Sequence, residues 1–202
     1  MKVHGLARAI LVGAVGVALG SLPMAAQTVT FSTTGAFSGA CSGTSCVWNN
    51  FTLSFTPVGS NSFFSGSLVD LGSFNTQCDG CTPAIVQAFP SGVMFTLTVN
   101  QTNPSNGANT FVGNVSGSLS FNPSFSSLIW TPAPNAFNIG SASYALVTDN
   151  TGNFNIAPPT GDANPNASVV KAFVTTTPEP STVALMATGM FGLIPLARRR
   201  RK

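Results

Sequence analysis

Between Gln27 and Thr177 the chain has almost no charge and no histidine at all. Lys171 is the one basic residue of that stretch, against Asp70, Asp79, Asp149 and Asp162, a net charge of −3, and no glutamate precedes Glu179. The single histidine of the 202 residues is His4. Each absence removes a class of chemistry. Without an imidazole, no base of the usual kind can take the proton of a Ser or Cys nucleophile, and metal sites built on His are excluded. A glycosidase needs two carboxylates flanking the scissile bond, and nothing in the sequence brings any two of the four aspartates together. They read as solvated turn residues. "DNTGN" at 149–153 lacks the later Glu and the spacing of a calcium loop and reads as a hairpin turn. Binding phosphate backbones needs Lys and Arg clustered on a folded surface, so nucleic acid is not an expected partner. No catalytic residue, cofactor or metal ligand is expected, and the domain is read as non-enzymatic.

The missing positive charge sits at the two ends. Lys2 and Arg8 precede the apolar run "AILVGAVGVALG", and Pro23 ends it before "MAAQ". A positive start, an apolar core and small residues before a cut after Ala26 are the parts of a secretory signal. Residues 1–26 are therefore expected to form a signal helix that directs export through the Sec translocon. Residues 27–177 are then the exported domain, and 178–202 a separate C-terminal segment.

Export changes the reading of the four cysteines. Cys41 and Cys46 lie in "CSGTSC", Cys78 and Cys81 in "CDGC". Such spacings suggest zinc in a reducing compartment, but outside the inner membrane disulfides are the expected fate. Three pairings are open. A local Cys41–Cys46 bridge would restrict the unfolded chain by about 2 kcal/mol, and a bridge between the clusters by about 4.

The middle of the chain is rich in Ser, Thr, Asn, Gly and Phe, and its apolar residues alternate. In "FTLSFT", Phe51, Leu53 and Phe55 face one way and Thr52, Ser54 and Thr56 the other. "VMFTLTVNQ" sets Phe95, Leu97 and Val99 against Thr96, Thr98 and Asn100; "FVGNVSGSLSF" sets Phe111, Val115, Leu119 and Phe121 against Asn114, Ser116, Ser118 and Ser120. Period two with one polar face marks half-buried antiparallel strands. Asn106-Gly107 between the last two reads as a hairpin turn. Further strands are expected at 28–34, 63–74, 85–89, 141–148, 154–157 and 168–175, with "APPTGDANPN" a long loop before the last. The expected fold is all-β, an antiparallel β-sandwich or jelly roll of about nine strands, flanked by the signal helix and a C-terminal transmembrane helix. On such a fold Trp48, Trp130 and Tyr144 are the candidates to stack on sugar rings. Trp48 follows a cysteine at a strand start and reads as core. Trp130, in "LIWTPAP", is the expected exposed glycan contact, and supports an alternative reading as a carbohydrate-binding module.

The last stretch, "TTTPEPSTVALMATGMFGLIPLARRRRK", holds the rest of the charge. Pro178 and Pro180 fix an extended entry. The 17 uncharged residues from Ser181 to Ala197 would span roughly 25 Å as a helix, at the short end for a bilayer core of ~30 Å. Arg198, Arg199, Arg200, Arg201 and Lys202 would hold that end in the cytoplasm. A Pro-Glu-Pro, an apolar segment and a basic cluster in this order resemble the PEP-CTERM sorting signal, with Pro178, Glu179 and Pro180 as the motif and Thr177 where valine often stands. The resemblance covers roughly an eighth of the chain. It implies an exosortase, an integral-membrane cysteine transpeptidase of Gram-negative bacteria, as a partner, with transient tethering to the inner membrane. It implies a destination at the cell surface or in an exopolysaccharide biofilm matrix, with extracellular polysaccharide as a candidate partner. It does not specify what the domain does there.

Overall fold

The computed structural model describes residues 27–80, 82, 86–120, 127–160 and 166–177. The segments expected to form the signal helix and the transmembrane helix lie outside these residues, as do Cys81, Phe121 and Asp162.

The described chain is all-β: β1 (Thr28–Ser38), β2 (Ser45–Trp48), β3 (Phe51–Pro57), β4 (Asn61–Phe64), β5 (Ser67–Cys78), β6 (Gln87–Ala88), β7 (Met94–Asn103), β8 (Gly107–Leu119), β9 (Ser127–Pro132), β10 (Ala136–Ile139), β11 (Ala142–Leu146), β12 (Phe154–Ile156) and β13 (Asn166–Thr176). They form two antiparallel sheets. One runs β12-β9-β8-β7-β1-β4, with β6 added against β8; the other runs β10-β11-β13-β5-β3-β2. The inner faces meet in one apolar core, as in a sandwich, because alternate residues of each strand have only the opposite sheet to bury against.

The alternation seen in the sequence is realised in β3, β7 and β8. Phe51, Leu53 and Phe55, Phe95, Leu97 and Val99, and Phe111, Val115 and Leu119 are all buried. The β7–β8 pair closes with Gln101 opposite Gly107, so Asn106-Gly107 does lie in a hairpin. The last strand is no stray linker segment: β13 sits between β11 and β5 and buries Val170, Ala172 and Val174 completely.

Three expectations need correction. Residues 63–74 are not one strand. Ser65 and Gly66 turn the chain between β4, in one sheet, and β5, in the other. Second, β2, β9 and β10 were not expected; each is only four to six residues long, too short for alternation to stand out. Third, the 149–153 turn is no hairpin, because β11 and β12 belong to different sheets and the segment crosses between them.

Within β5 the buried residues change parity, from Val69 and Leu71 to Gly72, Phe74, Thr76 and Cys78. Opposite this point the β13 register slips between Val170 and Lys171, the mark of a bulge with one unpaired residue. The freed Leu71 carbonyl accepts a 2.8 Å bond from the buried Thr33 hydroxyl of the other sheet, and Thr33 Oγ1 accepts in turn from Val58 N–H at 2.8 Å. Gly72 has φ +131°, and a Cβ there would meet the Phe55 ring at 2.3 Å; a Cβ on Gly35, across the core, would meet the same ring at 2.4 Å. Two glycines on facing sheets thus leave the space that Phe55 fills, beside Phe74 at 5.3 Å and Phe95 at 4.9 Å.

Candidate functional site

Of the sequence-predicted positions, the sorting-motif residues Pro178, Glu179 and Pro180 and the basic end from Arg198 to Lys202 lie outside the described residues. The structure does define the place from which they leave. β13 is a central strand, and its end is fixed on both sides. Gly66 N–H donates to Val174 O at 2.7 Å. Thr176 N–H and its hydroxyl both reach the Ser65 hydroxyl, at 2.8 and 2.9 Å. Thr177 N–H donates to Ser141 O at 2.9 Å, and its hydroxyl to the same carbonyl at 3.4 Å. The turns that follow β4 and β10 therefore hold the chain up to the residue before Pro178, and the motif begins with no spacer after the folded domain.

The Ser65 turn gathers a second chain end. Ser65 N–H donates to Gln27 O at 2.8 Å, and β1 starts beside the end of β4, Thr28 opposite Phe64. The first and last described residues thus sit at one end of the sandwich, with the turns 104–106 and 140–141 beside them. Gln101 ties those two turns together: its amide N–H₂ donates to Ser105 O at 2.9 Å and to Ile139 O at 3.3 Å, while its Oε1 accepts from the Tyr144 hydroxyl at 2.7 Å. Tyr144 is fully buried, and burial pushes its phenol well above the ordinary range.

Trp130 is not where the sequence suggested. It is 0 % exposed, projecting from β9 into the core with its ring 5.3 Å from Phe95 and 5.7 Å from Phe74. The expected exposed glycan contact is therefore a packing residue: "LIWTPAP" is the body of a strand, and position 130 falls on its inward phase with Leu128. Its indole N–H finds no acceptor among the described residues. Trp48 is core as expected, stacked on Phe51 at 5.8 Å and edge-on to Phe89 at 4.6 Å.

Cys41 and Cys46 form a disulfide, stapling the connection by which the chain passes from β1 to β2 and so between the sheets. Cys78 is also disulfide-bonded, and no described cysteine is free. With Cys41 and Cys46 bonded to each other, a bridge between the two clusters is excluded.

The described carboxylates do different things. Asp70 lies 3.7 Å from Lys171 across the β5–β13 pair, with both side chains exposed; such a surface pair contributes little stability. Asp70 also lines a cleft of ≈ 290 Å³ with Val58, Asn61, Phe63 and Leu68, the only carboxylate to do so among the described residues. Asp79 follows the far end of β5. Nine strand residues of ~3.3 Å place it about 30 Å from Asp70, several times the carboxylate spacing of a glycosidase. Asp149 Oδ1 accepts from the Thr151 hydroxyl at 2.7 Å and from the N–H groups of Asn153 and Thr151 at 2.8 and 2.9 Å. These bonds, the Thr151 hydroxyl first, hold its carboxyl below the ordinary range.

An all-β domain that hands its last strand directly to a proline-flanked C-terminal segment defines a class: a folded cargo on a C-terminal address. The family model described as the PEP-CTERM protein-sorting motif matches residues 176–202, so the chain carries that motif, beginning at the last residue of β13. The motif implies export and transient membrane anchoring before sorting by an exosortase. No curated protein and no solved structure matches the chain.

Proposed function

We propose that this chain is an exported, non-enzymatic β-sandwich protein, released from a temporary membrane tether by an exosortase-type transpeptidase and retained at the cell surface or in an exopolysaccharide matrix. The observation that carries the reading is the continuity of β13 with the sorting motif: residues 176–202 match the motif, and Thr177 is bonded to Ser141. In this reading residues 1–26 are the signal, 27–177 the cargo and 178–202 the disposable address. The domain's inventory supports a structural cargo. It has no imidazole, and Asp70, which lines a described cleft, is paired with Lys171. Its disulfides suit an oxidising compartment.

The mature protein is expected to leave polysaccharide intact. Incubated with extracellular polymer from its own host, it should release no new reducing ends and leave the polymer's size distribution unchanged. Turnover that disappears in an Asp70→Asn or Asp149→Asn variant would contradict the non-enzymatic reading.

A further inference from the structure

The end of the sandwich from which the sorting segment leaves carries an exposed aromatic residue and no carboxylate among the described residues. Phe64, the last residue of β4, is 65 % exposed and immediately precedes Ser65, the residue bonded to both Gln27 and Thr176. Behind it, on the outer face of the other sheet, Leu68 and Phe173 are direct cross-strand partners and about half exposed. The next outward pair along the same two strands is Asp70 and Lys171, the latter the only cation between Gln27 and Thr177. Asp79 lies at the opposite end, where its N–H donates to Asn50 O in the β2–β3 turn. Among the described residues, valines such as Val47 are exposed elsewhere, but the three exposed apolar side chains larger than valine, Phe64, Leu68 and Phe173, all lie toward this end, and such a concentration calls for a partner.

The length of chain beyond Thr177 says which partner. Three residues separate Thr177 from Ser181, where the uncharged run begins, and the four steps between them reach at most about 14 Å. The headgroup layer of a bilayer takes up ~5–8 Å of that. A domain tethered so briefly, through a strand end that is itself hydrogen-bonded in place, has its exit end against the lipid. From this we infer that the exit end, led by Phe64 and backed by Leu68 and Phe173, is a docking surface for the phospholipid bilayer during the tethered stage. Phe64 enters the interfacial layer as an apolar ring, as Phe and Leu do on surfaces that lie against lipid, and the paired charges of Asp70 and Lys171 mark where the apolar surface ends. The inference rests on the sorting reading, since it needs residues 181–197 to be in the membrane. It adds an orientation: the domain stands end-on, with the β2–β3 turn about 30 Å away from the lipid, by ten residues of β5 at ~3.3 Å each.

The test uses the full chain reconstituted into vesicles of phosphatidylethanolamine and phosphatidylglycerol, with and without bromine-labelled acyl chains that quench tryptophan on contact. Trp48 and Trp130 are buried and provide an unquenched background. Two variants each add one exposed indole: Phe64→Trp at the exit end, and Val47→Trp on β2 at the opposite end, where the native side chain is 68 % exposed. Bromolipid should quench the added emission of Phe64→Trp by half or more and leave that of Val47→Trp unchanged. If both variants float with the vesicles but neither indole is quenched, the docking surface is refuted while the tether stands, and the exposed end serves the transpeptidase or another protein instead. Equal quenching of the two refutes the end-on orientation. If the chain does not float with the vesicles, the sorting reading fails and the docking surface fails with it.

Discussion

Trp130→Ala is expected to destabilise the domain by about 3–5 kcal/mol, the cost of emptying a fully buried indole site. The side chain is wholly enclosed and its ring touches Phe74 and Phe95, which themselves stand 4.7 Å apart. Removing the indole takes away the surface on which both rest, and a rigid two-sheet core can close such a hole only in part. Against a typical total of ~5–15 kcal/mol, this is a fifth of the stability or more. Trp130→Phe should cost only about 1–2 kcal/mol, because the loss of volume is partly offset by removing a buried donor with no acceptor, a group that itself costs ~1–3 kcal/mol. Urea unfolding of the oxidised protein, followed by circular dichroism, reads both. A Trp130→Ala variant of unchanged midpoint would return Trp130 to the surface and reopen the carbohydrate-binding alternative.

Glu179→Ala is expected to leave folding and export intact and to block release. Glu179 follows Thr177, the last described residue, and no described contact of the sandwich depends on it. Within Pro178–Pro180 it is the one charged residue, and a proline on either side restricts the backbone choices open to it. Losing a charge-assisted hydrogen bond to a recognising enzyme costs ~1.5–3 kcal/mol, roughly 10- to 100-fold in processing. In the native host a longer, membrane-bound form should therefore accumulate and the surface form fall at least tenfold, as read by immunoblots of the two fractions. Normal release of the variant would show that Glu179 is not read.

The parts of this account available from the sequence are those written locally. Alternation holds through β3, β7 and β8 because each keeps one inward parity from end to end, and the tail is recognisable because its three parts lie side by side in order. What stayed hidden depends on contacts distant along the chain. The β5 bulge shifts the inward phase by one residue, so the apolar positions of 63–74 merged into one apparent strand across the Ser65–Gly66 turn. Trp130 near two prolines looked like the frayed end of a strand; only the pairing of Trp130 with Val115 on one side and Phe154 on the other shows it in the sheet interior. The exit geometry was the least accessible of all. The Ser65–Thr176 bond joins residues 111 apart, and the Ser141–Thr177 bond residues 36 apart, and no local pattern marks either serine.

The C-terminal peptide of the mature protein, isolated from the surface of the native host and sequenced by mass spectrometry, tests the central claim most directly. A temporary address predicts a new C-terminus near Pro178–Pro180, with the apolar run and the cluster Arg198–Lys202 absent. Recovery of a peptide ending in the intact "ARRRRK" from surface-localised protein would contradict it and make the segment a lasting anchor.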